Sequence, residues 1–179
     1  MLSVNSKLKI QNSKLVFISL GSNLGDSRKI LLAAMATLQK FSSAPILKSS
    51  LWQTSPVDCP PDSPKFLNAV VGLNPQPGET PESLLAKLQA LEIEFGRQKK
   101  TILNEPRPLD LDLIAFGAET CSFAHLALPH PRAHERRFVL QPLGEIARDL
   151  ILPGQTRTVA QLLAALDDSE SCIKVFPAG

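Results

Sequence analysis

"PRPLDLDLIAFG", Pro106 to Gly117, is a run of Leu, Ile and Phe broken by two aspartates. Apart from Asp110 and Asp112 it reads as a buried strand, and its place as the fourth strand decides the fold. Asp is among the poorest strand formers, and no basic residue within the strand can pair with either carboxylate. Side chains alternate along a strand, so positions two apart share a face about 7 Å apart, close enough to share a cation. Two readings stay open from this stretch alone: carboxylates facing water on an amphipathic strand, or a pair that binds metal.

Upstream, "LVFISLG", Leu15 to Gly21, is β-rich, and "SNLGDS" carries turn and helix-start residues with Asp26 near the first turn. Ile30, Leu31, Ala34, Met35 and Leu38 then share one helical face. "APILKSSLWQT", 44–54, and "KFLNAVVGLN", 65–74, read as two strands joined by "SPVDCPPDSP", a loop too rich in proline to pair in a sheet. In "ETPESLLAKLQALEIEFG" Thr80 caps a helix and Pro81 suits its first position. Leu84, Leu85, Leu88, Leu91 and Phe95 make its apolar stripe, and Gly96 ends it.

The connector "RQKKTILNEPRP" leads into the two-Asp strand, which gives the order β-α-β-β-α-β. That order predicts an α+β fold, a ferredoxin-like split βαβ sandwich with an antiparallel sheet and its helices on one face. Beyond it, "LPHPRAHERRFVLQPLGEIARDL" and "TVAQLLAAL" predict a C-terminal helical extension walling one side. One domain is expected over 15–179, preceded by a flexible polar extension, residues 1–14, that holds Lys7, Lys9 and Lys14 but no acid.

Composition narrows the function. Nineteen basic and 17 acidic side chains give a formal net charge of +2, which argues against a nucleic-acid or anionic-membrane partner. The longest apolar run near the N-terminus is too short to span a membrane. Cys59, Cys121 and Cys172 are few and widely spaced, which fits a reducing cytoplasm better than a zinc site.

Charge is instead local. Arg107 lies just upstream of the two aspartates, Arg97, Lys99 and Lys100 come from the same connector, and His130, Arg132, Arg136 and Arg137 follow downstream. Two carboxylates among many cations match the needs of a polyphosphate with Mg²⁺: oxygen ligands for a hard metal, and Arg or Lys for the remaining phosphate charge. Phosphoryl transfer is therefore the leading chemistry. Gln89 and Glu92, three apart near the end of the second helix, either project towards the connector or form a solvated polar face. His130 and His134 lack a third ligand at zinc spacing. Phe66 and Asn68 share a strand face, an apolar surface beside an amide that suits a flat, hydrogen-bonding heterocycle. "GSNLGD" lacks a Walker lysine and reads as a plain strand-to-helix turn.

Taken in order, "GSNLGD", "TSPV", "FLNAVV", "LQALEIEFGR", "PRPLDLDLIAFG" and "LPHPRAHERRFVLQPLGEIA" resemble the 6-hydroxymethyl-7,8-dihydropterin pyrophosphokinases of folate biosynthesis, from Leu15 to about Leu166. That resemblance implies an ATP-dependent pyrophosphokinase, with ATP and the reduced pterin as its small-molecule substrates. It implies that Asp110 and Asp112 hold two Mg²⁺ ions while Arg97 and Arg107 stabilise the moving charge. Thr54, Val57 and Asn68 match positions that hydrogen-bond the pterin edge, and Phe66 and Phe138 match the rings that sandwich it. Gln89, Glu92, Lys99, Arg107, His130 and Arg136 match the nucleotide side. Asn104 and Glu105 depart from an aromatic-glycine pair before "PR", Ser55 stands where proline is frequent, and His125 and Ala127 replace nucleotide-contacting residues. The expected protein is a cytoplasmic monomer, and Gly96 to Pro108 is expected to act as a lid, mobile over 97–104, with Arg107 preset. A nucleotidyl or simple phosphoryl transferase on the same fold is the rival enzyme reading, and a split βαβ regulatory or RNA-binding module the non-enzyme one.

Overall fold

The computed structural model describes residues 15–56, 59, 62–98, 105–167 and 171–177. Its main sheet is antiparallel and is built on β1 (Val16–Ser22), which pairs with β4 (Phe66–Leu73) on one side and β5 (Asp110–Phe116) on the other. β3 (Leu51–Thr54) continues the sheet beyond β4, so the strand order is β5-β1-β4-β3, with β8 (Cys172–Phe176) at the far edge. Helices α1 (Ser27–Leu38) and α2 (Pro81–Glu94) cover one face; α3 (Arg137–Ile146) and α4 (Val159–Ala164) cover the other.

Alternation sorts the strand residues between these layers. Ile18, Leu20, Leu111 and Leu113 meet the buried leucines of α1 and α2, whereas Phe17, Val70 and Ile114 meet Val139, Leu140 and Leu143 of α3. α1 starts at Asp26, whose carboxylate accepts from the Lys29 N–H at 3.2 Å. α2 has the expected form: Thr80 and Ser83 cap each other reciprocally, Pro81 opens the helix, and Gly96 follows it at φ 90°, a left-handed value that glycine adopts without a Cβ clash.

Two expectations need correction, and one element was unanticipated. The segment 44–54 is not one strand: it divides into β2 (Leu47–Lys48) and β3, both on β4. Ser49 makes the break, because its N–H donates to the Val70 carbonyl while its hydroxyl, in place of a backbone carbonyl, accepts from the Val70 N–H. The C-terminal extension is not purely helical, since β8 returns to pair with β3. A small hairpin of β6 (Cys121–Ser122) and β7 (Ala127–Leu128), absent from the sequence reading, precedes the basic segment.

Candidate active site

The site lies where the α3 and α4 layer stops short. On that face α3 covers Phe17, Val70 and Ile114, but the same strands continue past the helix start with Ser19, Gly21, Asn68, Asp110 and Asp112. The ladder sets these side by side: Asn68, Gly21 and Asp110 form one row, and Ser19 beside Asp112 the next. An open polar floor results at one end of the sheet, beneath a cavity of about 470 Å³.

Of the residues expected at the site, Thr54, Phe66, Asn68, Arg107, Asp110, Asp112, His130, Arg136 and Phe138 line this cavity. Arg97 touches it through Asp110. Gln89 is exposed on α2 and outside the lining. Val57, Lys99 and Asn104 lie outside the described residues, as does the rest of 99–104 within the expected lid. His125 is exposed and stacks on Phe123, with ring centroids 5.8 Å apart. Ser19, Gly21 and Cys59 also line the cavity and were not anticipated. The signal for the first two was present, since they alternate with Ile18 and Leu20 in β1.

The absence of cations within β5 is made good from outside it. Arg97 Nη1 donates to one oxygen of Asp110 at 2.8 Å and Arg107 Nη2 to the other at 2.6 Å. Arg136 Nη1 approaches Asp112 Oδ2 at 3.9 Å. Asp112 sits deep in the concavity with 37% of its side chain exposed, and burial, then the charge of Asp110, raise its pKa above 3.8. His130, Arg136 and Arg107 oppose that rise.

His130 shifts the other way: burial lowers its pKa despite the attraction of Asp112. The imidazole is then neutral at pH 7. Its Nδ1 accepts from the Arg132 N–H at 3.2 Å, which leaves the ring proton on Nε2.

Behind the floor, Glu92 is 7% exposed, so the solvated-face reading of its helix does not hold for it. Its Oε1 accepts from the Leu111 N–H at 2.7 Å and from Arg97. Burial raises its pKa above 4.5, against the pull of those two donors.

The aromatic, amide-lined part of the cavity is equally defined by contacts. Asn68 Nδ2 donates to Thr54 Oγ1 at 2.7 Å, leaving the amide oxygen towards Gly21. A Cβ at position 21 would stand 3.1 Å from that oxygen and 3.6 Å from the Phe66 ring, so glycine keeps the floor open. Arg107 lies over the Phe66 ring at 5.3 Å and Arg136 over the Phe138 ring at 5.4 Å.

Asp110 and Asp112 are hard oxygen donors sharing one face, and each carboxylate has lone pairs beyond those its arginine partners use, so the residues fit a Mg²⁺-phosphate group. Among the described residues no group of three or more His, Cys, Asp or Glu could hold a metal ion by itself. None of the described helices is long and apolar enough to cross a membrane.

A concave site that sets a carboxylate pair and several arginines beside an aromatic, amide-lined slot has the chemistry of a transferase for phosphate groups. Residues 17–148 match the family described as 7,8-dihydro-6-hydroxymethylpterin-pyrophosphokinase (HPPK), and the chain belongs to that family. It is 37% identical over 151 residues to the 2-amino-4-hydroxy-6-hydroxymethyldihydropteridine pyrophosphokinase of Pseudomonas aeruginosa, covering 84% of this chain and 90% of the relative. Identity to the Haemophilus influenzae enzyme of the same name is 35%, over 90% of this chain and 98% of the relative. The Pneumocystis carinii folic acid synthesis protein fol1 is 37% identical over 94% of this chain, which spans only 23% of that longer protein. A crystal structure of Plasmodium falciparum HPPK-DHPS shares the fold, with a TM-score of 0.62, 12% identity and coverage of 84% of this chain and 42% of that one.

Proposed function

We propose that the chain transfers the terminal pyrophosphate of ATP to the hydroxymethyl group of 6-hydroxymethyl-7,8-dihydropterin, releasing AMP, as a step in folate biosynthesis. One observation carries the reading: a single cavity sets the Phe66, Phe138, Asn68 and Thr54 slot directly against Asp110, Asp112, Arg107 and Arg136. In the reaction a bond forms between the substrate hydroxyl oxygen and the β-phosphorus. The bond from that phosphorus to the oxygen bridging to the α-phosphorus breaks, AMP keeps the bridging oxygen, and the hydroxyl proton passes to solvent.

Asp110 and Asp112 would hold Mg²⁺, two ions by the family resemblance, and the metal would neutralise phosphate charge and orient the chain for in-line displacement. Arg107 spans Asp110 and the Phe66 ring, which supports a role in stabilising the charge of the transferred group. Arg97 stabilises it from the rim. His130, neutral with its proton on Nε2, and Arg136 donate to phosphate oxygens. Asn68 and Thr54 hold the edge of the heterocycle, with Val57 assigned to the same edge; Phe66 and Phe138 hold its faces. Gln89 and Lys99 serve the nucleotide, whereas Glu92 acts through Arg97 and the Leu111 amide.

The strand order β5-β1-β4-β3, with α1 and α2 on one face, supports a ferredoxin-like split βαβ core within one domain from residue 15 onward. A cytoplasmic monomer is the proposed state. Incubation with ATP, Mg²⁺ and the reduced pterin tests the reading by its nucleotide product. AMP is expected; ADP would mean simple phosphoryl transfer, and no turnover would overturn the assignment.

A further inference from the structure

Asn23, one residue beyond β1, is 4% exposed and was not among the expected site residues. Its Oδ1 accepts from the Arg107 N–H at 2.9 Å, while its own N–H donates to the Arg107 carbonyl at 3.2 Å. Its Nδ2 donates to the Pro64 carbonyl at 3.3 Å. Pro64 precedes Phe66 by two residues, and the Arg107 side chain reaches both Asp110 and the Phe66 ring. One buried amide thus joins the segment that delivers the aromatic wall to the segment that delivers the phosphate-facing arginine.

From these contacts we infer that Asn23 is a positioning residue that couples pterin binding to nucleotide binding; this rests on the function proposed above. Phosphate that fixes Arg107 also fixes its backbone, and through Asn23 it fixes Pro64 and the approach to Phe66. The second ligand then meets a wall that is already ordered, and by linkage the effect is reciprocal. No other common side chain supplies both halves of the tie at this size: Asp lacks the donor to Pro64, and Leu or Ala lacks both groups.

Calorimetry tests the inference by measuring 6-hydroxymethylpterin affinity with and without saturating Mg²⁺ and α,β-methylene-ATP. In the wild type the nucleotide analogue should tighten pterin binding about tenfold, within the usual range of coupling between sites. In Asn23→Ala the factor should fall to within about twofold of unity, while the affinity for nucleotide alone changes much less. Asn23→Asp keeps the acceptor for the Arg107 N–H and the residue volume, so it serves if the alanine variant does not fold. It should retain nucleotide affinity and lose the coupling. Coupling preserved in either folded variant, with only a lowered melting temperature, would reduce Asn23 to a structural role and overturn the inference; so would a wild type without coupling. A wild type that binds neither ligand would instead refute the functional reading.

Discussion

Replacing Asp112 by Asn should stabilise the protein while abolishing its activity. Two unit charges about 7 Å apart repel by about 2 kcal/mol at an effective dielectric near 20. Arg136 at 3.9 Å and the 37% exposure of the Asp112 side chain offset much of that repulsion and of the burial cost. The net gain from neutralisation is on the order of 1 kcal/mol, or about 2–4 °C in melting temperature for a chain of this size. Its pH dependence follows from the raised pKa. Above the folded-state pKa, native Asp112 is ionised against its surroundings and the Asn variant is the more stable. As pH falls through that value towards 3.8 the native protein takes up the proton in preference to the unfolded chain, and the advantage disappears. Thermal unfolding followed by circular dichroism, in buffer with chelator from about pH 4 to 8, measures this directly. Turnover should meanwhile drop by several orders of magnitude, because the proposed Mg²⁺ ligand is lost. A lower melting temperature at neutral pH, or a difference that does not narrow on acidification, would refute the electrostatic reasoning.

Three further outcomes are expected. Phe66→Ala or Asn68→Ala should weaken pterin binding about tenfold or more and leave nucleotide affinity nearly unchanged, as calorimetry with each ligand alone can determine; equal losses would point to general unfolding. Gly21→Ala should keep the fold but raise the KM for pterin, because the added Cβ stands 3.1 Å from Asn68 Oδ1; an unchanged KM would place the heterocycle away from this floor. Glu145 accepts from the Ser50 N–H at 2.8 Å and Trp52 Nε1 at 3.0 Å, and pairs with Lys174. Burial would raise its pKa, but these donors outweigh burial and lower it from 4.5. Its stabilising effect is therefore present above the unfolded pKa and fades as pH falls through the folded one. Glu145→Gln should cost about 1 kcal/mol near neutrality and less in acid, seen as converging melting curves.

Local signals carried much of this fold in the sequence. The α2 helix was legible because Thr80, Pro81, the leucine stripe and Gly96 each act within a few residues of one another. β5 was legible because its alternation continues through both aspartates. The break at Ser49 was not, since only the tertiary pairing with Val70 reveals a hydroxyl standing in for a carbonyl. β8 also escaped notice: it is short, its Ile173 is 56% exposed, and it pairs with β3 across more than a hundred residues. At the site, residue types placed Asp110, Asp112 and the arginines in one neighbourhood, but the individual pairings depend on how the connector folds back. Asn23 and Glu92 show the limit most clearly, because each side chain acts through backbone groups of distant segments. Nothing near either in sequence announces that.

Phosphorus NMR of the complete reaction tests the central claim most directly. With ATP, Mg²⁺ and 6-hydroxymethyl-7,8-dihydropterin, the wild type should convert the three ATP resonances into AMP and a pterin diphosphate ester in equal amounts. Asp110→Asn and Asp112→Asn proteins, shown to be folded, should leave ATP intact over the same period. ADP with a pterin monophosphate, or undiminished transfer by the two variants, would contradict the account.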